Sequence, residues 1–141
     1  MGSSDVVSST TIEWVVGNDQ YNEASRTQLK LRRLVRLKRI AIGDECFGKV
    51  RVFELDRLCE LESVEIGYHS FTYAKTFNDI QNSKRTDGSY RIVNCPKLKS
   101  IQIGDWSFFD YSFELNNLPS LQSIDMGDSC FDYAPSLSLT G

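Results

Sequence analysis

The chain has 141 residues, of which 40% are hydrophobic and 25% are charged, so it is long enough to bury the core of one domain. It carries 16 Lys and Arg against 19 Asp and Glu, a net charge of −3, which argues against a basic nucleic-acid-binding protein. No apolar run approaches the roughly 20 residues of a spanning helix, and a single histidine, His69, excludes any mechanism that needs two.

Residues 1–10 are small and polar, and we expect a flexible N-terminus there. They have neither the basic start nor the apolar run of a secretory signal. The cysteines form no C-x-x-C pair and have no histidine at zinc spacing, which predicts reduced thiols, no metal site and a cytoplasmic protein. The four are Cys46, Cys59, Cys95 and Cys130.

A repeated pattern of alternating apolar residues, then Gly, then Phe four positions later, is the main signal in the sequence. One copy reads Leu37-x-x-Ile40-x-Ile42-Gly43-x-x-x-Phe47. The period of two predicts a short strand, and we expect the glycine to take a positive φ in the bend that follows. The glycines are Gly43, Gly67, Gly104 and Gly127, with a degenerate copy at Gly17. The recurring phenylalanines, expected in the core, are Phe47, Phe71, Phe108 and Phe131.

Each repeat contains a second apolar block, such as Phe53-x-Leu55-x-x-Leu58, that also alternates with period two. One repeat is therefore two short strands, which cannot bury their apolar face alone but can do so when copies stack. In this alignment Cys95 takes the place of Leu58, so we expect it in the core, whereas Cys59 is expected nearer the surface. Cys46 and Cys130 share a position that takes small side chains, with Ser70 and Ser107.

The Leu-x-x-Ile-x-Ile pattern on a period of 23–24 residues resembles a leucine-rich repeat. Its Ile-Gly-x-x-x-Phe element is similar to the bacterial-surface-antigen-like repeats of microbes and protists. The resemblance implies a mainly β, leucine-rich-repeat-type solenoid with two short parallel strands per repeat. We expect an N-terminal cap half-repeat over 11–26 and the solenoid over 27–141, with a loop inserted at 73–89.

The segment 30–39 holds six basic residues in ten. The repeat register places most of them beside an acid one repeat later, so we expect a ladder of ion pairs. Its pairs are Lys30–Glu54, Arg32–Asp56, Arg36–Glu60 and Lys38–Glu62, and the acids continue to Arg91, Lys97 and Lys99. Arg33 and Arg39 have no acid in this register. Binding of an anion or a nucleic acid through Arg33, Arg36 and Arg39 therefore stays open.

Two features of the later repeats suggest recognition. The insertion 73–89 is polar and turn-rich in its second half, and it is either a recognition loop or a neutral connection. Trp106 stands where the other repeats have polar or small residues, which makes it a candidate anchor for a partner, with corner packing as the alternative.

No nucleotide, phosphate, metal or hydrolase motif is present, so we predict no catalytic residue and no cofactor. A carbohydrate-active β-solenoid enzyme is the alternative from that class. We expect protein–protein binding or scaffolding on the open face of the Leu-x-x-Ile-x-Ile strands, and end-to-end self-association where the last repeat has no cap. The candidate partner-binding residues are Trp106, Glu62, Glu65, Lys99, Gln102 and Asp125.

Overall fold

A computed structural model describes residues 8, 10–22, 25, 27–71, 88–105, 107–108, 111–127 and 137–140. These residues form ten short strands and no helix. The strands are β1 (Glu13–Val16), β2 (Gln28–Arg32), β3 (Arg39–Ile42), β4 (Val52–Asp56), β5 (Ser63–Ile66), β6 (Gly88–Val93), β7 (Ser100–Ile103), β8 (Tyr111–Asn116), β9 (Ser123–Met126) and β10 (Leu137–Thr140).

The strands divide between two sheets according to their position in the repeat. The odd-numbered strands form a first sheet in the order β1-β3-β5-β7-β9, and the even-numbered strands form a second sheet in the order β10-β8-β6-β4-β2. Every pairing is parallel. The predicted register is confirmed, because Lys30 lies opposite Glu54 and Ile40 lies opposite Val64. The mainly β architecture with two short parallel strands per repeat is therefore confirmed.

The core lies between the two sheets, and alternate residues of a strand point their apolar side chains into it. In β3 and β5 the residues alternate between half-buried and buried, as the period of two predicted. A column of aromatic rings runs through this core, and its neighbouring centroids are 5.0, 5.0 and 4.5 Å apart. Stacked rings are a favoured aromatic arrangement and add to the stabilisation from burial. The column consists of Tyr21, Phe47, Phe71 and Phe108. Phe131 lies outside the described residues.

The glycines of the repeat are required for a different reason from the one predicted. None of the five takes a positive φ, so that prediction is wrong. A Cβ on Gly67 would lie 2.7 Å from the Gly43 carbonyl carbon and 2.8 Å from the Asp44 nitrogen. Glycine is needed because successive turns stack too closely for any side chain. Gly17 follows β1, the edge strand of the first sheet, and no atom lies within 4 Å of the place where its Cβ would be.

Left-handed backbone occurs two and four residues after those glycines, at the positions that the structure describes. His69 has φ 55° and Phe71 has φ 60°, both at non-glycine positions where this conformation is uncommon. The same pattern occurs at Asp19 and Tyr21, at Glu45 and Phe47, and at Phe108. The turn thus directs the aromatic ring inward, and the left-handed conformation recurs in successive described turns rather than at one site.

A row of small polar side chains holds these turns together. The buried Ser70 hydroxyl donates to the Gly43 carbonyl at 2.8 Å, and Ser107 donates in the same way to the Gly67 carbonyl at 2.7 Å. Each hydroxyl also accepts a backbone N–H from the preceding turn, that of Cys46 for Ser70 and that of Ser70 for Ser107. This double role explains why the position takes only small residues with a donor.

The described cysteines are free thiols, namely Cys46, Cys59 and Cys95. Cys95 is fully buried and Cys59 is exposed, as the repeat alignment predicted. Burial raises the pKa of the Cys95 thiol to about 11 and also raises that of Cys46, so both thiols are neutral at physiological pH. Cys130 lies outside the described residues.

The predicted segments at the ends and in the middle of the chain are only partly described. Within 11–26, Glu13–Val16 forms a complete strand that pairs with β3. Gly88 and Ser89, placed at the end of the insertion 73–89, instead begin β6, and the rest of that insertion lies outside the described residues. Of 1–10, only residues 8 and 10 are described. No helix in the described part of the chain could cross a bilayer.

Candidate functional site

The outward face of the first sheet carries one row of side chains at the middle of each strand. The parallel register aligns them, since Ala41 lies opposite Glu65, and Gln102 lies opposite both Glu65 and Asp125. They point away from the core because the residues on either side of them, such as Val64 and Ile66, are buried. The row consists of Val15, Ala41, Glu65, Gln102 and Asp125.

A second row is formed by the residues that directly follow the repeat glycines from Gly17 to Gly104. The Asp44 carboxylate accepts the backbone N–H of Tyr68 at 3.0 Å, and the Asn18 amide oxygen accepts that of Asp44 at 2.8 Å. These side chains therefore satisfy backbone donors one repeat further along the stack. The row consists of Asn18, Asp44, Tyr68 and Asp105.

Between these two rows lies a groove of about 650 Å³ that crosses all five strands of the first sheet. We call it the sheet groove. Its volume is within the range of ligand-binding clefts, but it is an open surface rather than an enclosed pocket. Its polar lining comes from the carboxylates and the amide of the two rows, and backbone of the glycine turns forms part of its floor.

The sheet groove is acidic. Four carboxylates line it, and no Lys or Arg is among its lining residues. Arg39, beside the groove, lies 3.3 Å from the Glu65 carboxylate and 3.9 Å from that of Glu13. Tyr68 is 48% exposed at the groove, and its ring meets that of His69 edge-on at 5.3 Å. The four acids are Asp44, Glu65, Asp105 and Asp125.

The structure brings together three of the six predicted partner-binding residues. Glu65, Gln102 and Asp125 line the sheet groove side by side. Glu62 and Lys99 are exposed just before β5 and β7, where the Lys99 N–H donates to the Glu62 carbonyl at 2.9 Å, and they do not line the groove. Trp106 lies outside the described residues.

Sequence reasoning missed the residues after the glycines. Asp44, Tyr68 and Asp105 line the groove, and none of them was among the predicted site residues. The signal was available, because the position directly after each glycine holds an acid or an amide in three of the four repeats between Gly17 and Gly104.

Two arginines of the basic segment 30–39 form ion pairs, though not with the acids that the register predicts. Arg39, predicted to have no acidic partner, forms ion pairs with Glu65 and Glu13, so that prediction is wrong. Arg32 lies opposite Asp56 as predicted, but its guanidinium reaches diagonally to Glu54 at 2.9 Å. A diagonal neighbour is within reach of so long a side chain.

The rest of the charge ladder is as predicted only in part. The predicted Arg36–Glu60 and Lys38–Glu62 ion pairs do not form among the described residues, whereas the later pairs do. Arg91 lies between Glu54 at 3.4 Å and Glu114 at 3.2 Å, and Lys97 pairs with Glu60 at 3.0 Å. Glu54 is buried, so these contacts compensate a desolvated carboxylate.

Arg33 and Arg36 differ from the two paired arginines of the basic segment. Both are exposed, and neither forms an ion pair with another residue in the described part of the chain. Arg33 follows β2 with a left-handed φ of 57°, and its backbone N–H donates to the Asp56 carbonyl at 3.1 Å.

No group of three or more His, Cys, Asp or Glu side chains among the described residues is arranged to hold a metal ion. The chemistry that the sheet groove offers is that of exposed carboxylates beside an amide, a tyrosine ring and small apolar side chains. Comparison with protein-family models, with curated proteins and with solved structures finds no match to this chain.

Proposed function

We propose that the chain is a leucine-rich-repeat-type solenoid whose function is non-catalytic binding of another protein. The observation that carries this proposal is the sheet groove, which crosses five strands and has three of the predicted partner-binding residues in adjacent register. A surface of this kind binds through area and shape, and a few side chains near its centre supply most of the energy.

The solenoid interpretation is supported by the sheet register. Residues 24 apart, such as Lys30 and Glu54, lie side by side, and both sheets continue with the same register from one repeat to the next. The stacked aromatic column and the serine row provide the same kind of contact between successive turns. Each repeat therefore packs on its neighbours, as stacking of supersecondary units requires.

Site-specific cross-linking tests the proposed function. A photo-cross-linking residue replaces Ala41 on the groove face, and in a matched variant it replaces Ser112, which faces outward on β8 of the second sheet. We expect a protein partner to be captured at position 41 and not at 112. The captured protein, once purified, should bind the wild-type chain and lose affinity for Ala41→Arg. Equal capture at both positions, or unchanged affinity for Ala41→Arg, would contradict the proposal.

Anion binding is a second candidate, favoured by the exposure of Arg33 and Arg36. Phosphate contacts release counterions, so affinity for an oligonucleotide should fall steeply with salt and should fall further in an Arg33→Gln/Arg36→Gln variant. Binding that is insensitive to both changes would remove this candidate.

Association with a second copy along β9 is a third candidate. The inward residues of β3, β5 and β7 are all at most 4% exposed, whereas Ile124 and Met126 on β9 are 38% and 42% exposed. β9 is also an outer strand of the first sheet, so its edge can pair with another strand.

A further inference from the structure

We propose that the sheet groove takes an extended segment of a partner protein that carries a Lys or Arg at every third residue. The inference rests on the proposed protein-binding function and names the chemistry of the partner.

The charge of the groove selects a cationic occupant. Its lining has four carboxylates and no basic side chain. The neighbouring Arg39 pairs with Glu65 and Glu13, so two carboxylates share its one positive charge. Like charges across an interface are costly, and an acidic or phosphate-rich partner is therefore disfavoured. Lys and Arg on a partner would find acceptors along the whole groove.

The spacing of the acids determines the periodicity of the partner. Glu65 on β5 and Asp125 on β9 share one register and are separated by a single intervening strand, β7. Neighbouring strands lie about 4.8 Å apart, so these two positions are about 9.6 Å apart. Asp44 and Asp105 follow β3 and β7, which are also separated by one strand, and form a second pair with the same spacing.

A polyproline II segment has three residues per turn and rises about 3.1 Å per residue, so residues i and i+3 lie on one face about 9.3 Å apart. This matches the separation of the acids. A fully extended β segment does not, because its same-face residues recur at about 6.6 Å and about 13 Å.

The rest of the groove suits the remainder of a Lys or Arg side chain. Tyr68 lies between Asp44 and Asp105 along the stack, with nearly half of its surface exposed. A cation can pack against the face of its ring. The exposed Val15 and the small Ala41 provide apolar surface for the aliphatic part of a Lys or Arg side chain. Charge, spacing and apolar contact therefore agree on one kind of occupant.

The test measures binding of fluorescein-labelled peptides by anisotropy at low salt. The probe is (Lys-Pro-Ser) repeated four times, and its control has the same composition with the four lysines contiguous. We expect the wild-type chain to bind the periodic peptide about fivefold more tightly than the control. Glu65→Gln/Asp125→Asn should weaken that binding about fivefold to tenfold. The charge-matched variant Glu60→Gln/Glu114→Gln, which removes two acids outside the groove, should change it less than twofold.

Equal affinity for the two peptides, or equal loss in the two double variants, would overturn the inference. If neither peptide binds but a protein captured at position 41 still binds the wild-type chain, the partner chemistry is wrong while the proposed function stands. If no protein is captured at position 41 either, both fail.

Discussion

Replacing Ser70 by alanine removes one member of the serine row that joins successive turns. The Ser70 hydroxyl donates to the Gly43 carbonyl at 2.8 Å and accepts the Cys46 N–H at 3.1 Å. Both Ser70 and Cys46 are fully buried. Alanine fits the same space but makes neither bond, so two backbone groups lose their partner in one substitution.

The size of the effect follows from those two groups. A buried donor or acceptor left unsatisfied costs about 1–3 kcal/mol. The Cys46 N–H belongs to a buried residue, whereas Gly43 is half-buried and water can reach its carbonyl more easily. We therefore expect Ser70→Ala to lower the free energy of unfolding by about 2–4 kcal/mol.

Urea unfolding followed by circular dichroism measures this loss. Ser70→Cys should lose less, because the thiol of Cys46 occupies the corresponding position and donates to the Gly17 carbonyl at 3.0 Å. The control is Ser100→Ala, the same substitution on the outward face of β7, which should change stability by less than about 0.5 kcal/mol. A Ser70→Ala chain as stable as Ser100→Ala would refute the reasoning.

Three further changes test other parts of the structure. Gly67→Ala should lower the free energy of unfolding by about 1–3 kcal/mol in urea, because its Cβ would meet backbone at 2.7 Å, while Gly17→Ala, with nothing within 4 Å, should be neutral; equal effects would count against close stacking of the turns. Burial raises the pKa of Cys95 from about 9 to about 11, so the stability contributed by its neutral thiol is complete below pH 9 and lost as the pH rises to 11. The stability of the wild type relative to Cys95→Ala should therefore decrease by about 2 kcal/mol over that interval, and a constant difference would exclude this linkage. Light scattering should show a mass above 16.1 kDa that returns to the monomer value in Ile124→Lys but not in the exposed-site control Val35→Lys; a monomeric wild type at high concentration would end the self-association proposal.

Repeat alignment predicts some residues of the sheet groove and misses others. Glu65, Gln102 and Asp125 could be placed on one face from sequence, because a period of two assigns alternate residues to opposite faces of a strand. Asp44 and Tyr68 could not, since the periodicity ends at the glycine and the direction of a side chain after it depends on the turn. Left-handed residues stand two and four positions after the glycines in the described turns, and nothing in their residue types, which include His69 and Phe71, signals this conformation.

Pairing of charges was predictable only in part. Sequence spacing establishes which Cα atoms lie opposite one another, as it does for Arg32 and Asp56. It does not establish which carboxylate a long side chain reaches, and Arg32 bonds Glu54 instead. Arg39 similarly finds Glu65 on a diagonal that a one-to-one alignment does not contain.

By itself, the sequence determined the repeat length, the two strands in each repeat and the lateral register, because apolar alternation and a recurring glycine are local properties of the chain. Only the tertiary structure decided why those glycines are needed and which ion pairs form. It also decided that an acidic groove lies between the outward row of the first sheet and the row of residues after the glycines. The physical reason is that these features depend on distances between atoms of different repeats. Those distances are set by strands that stack about 4.8 Å apart, and they cannot be read from the sequence of any single repeat.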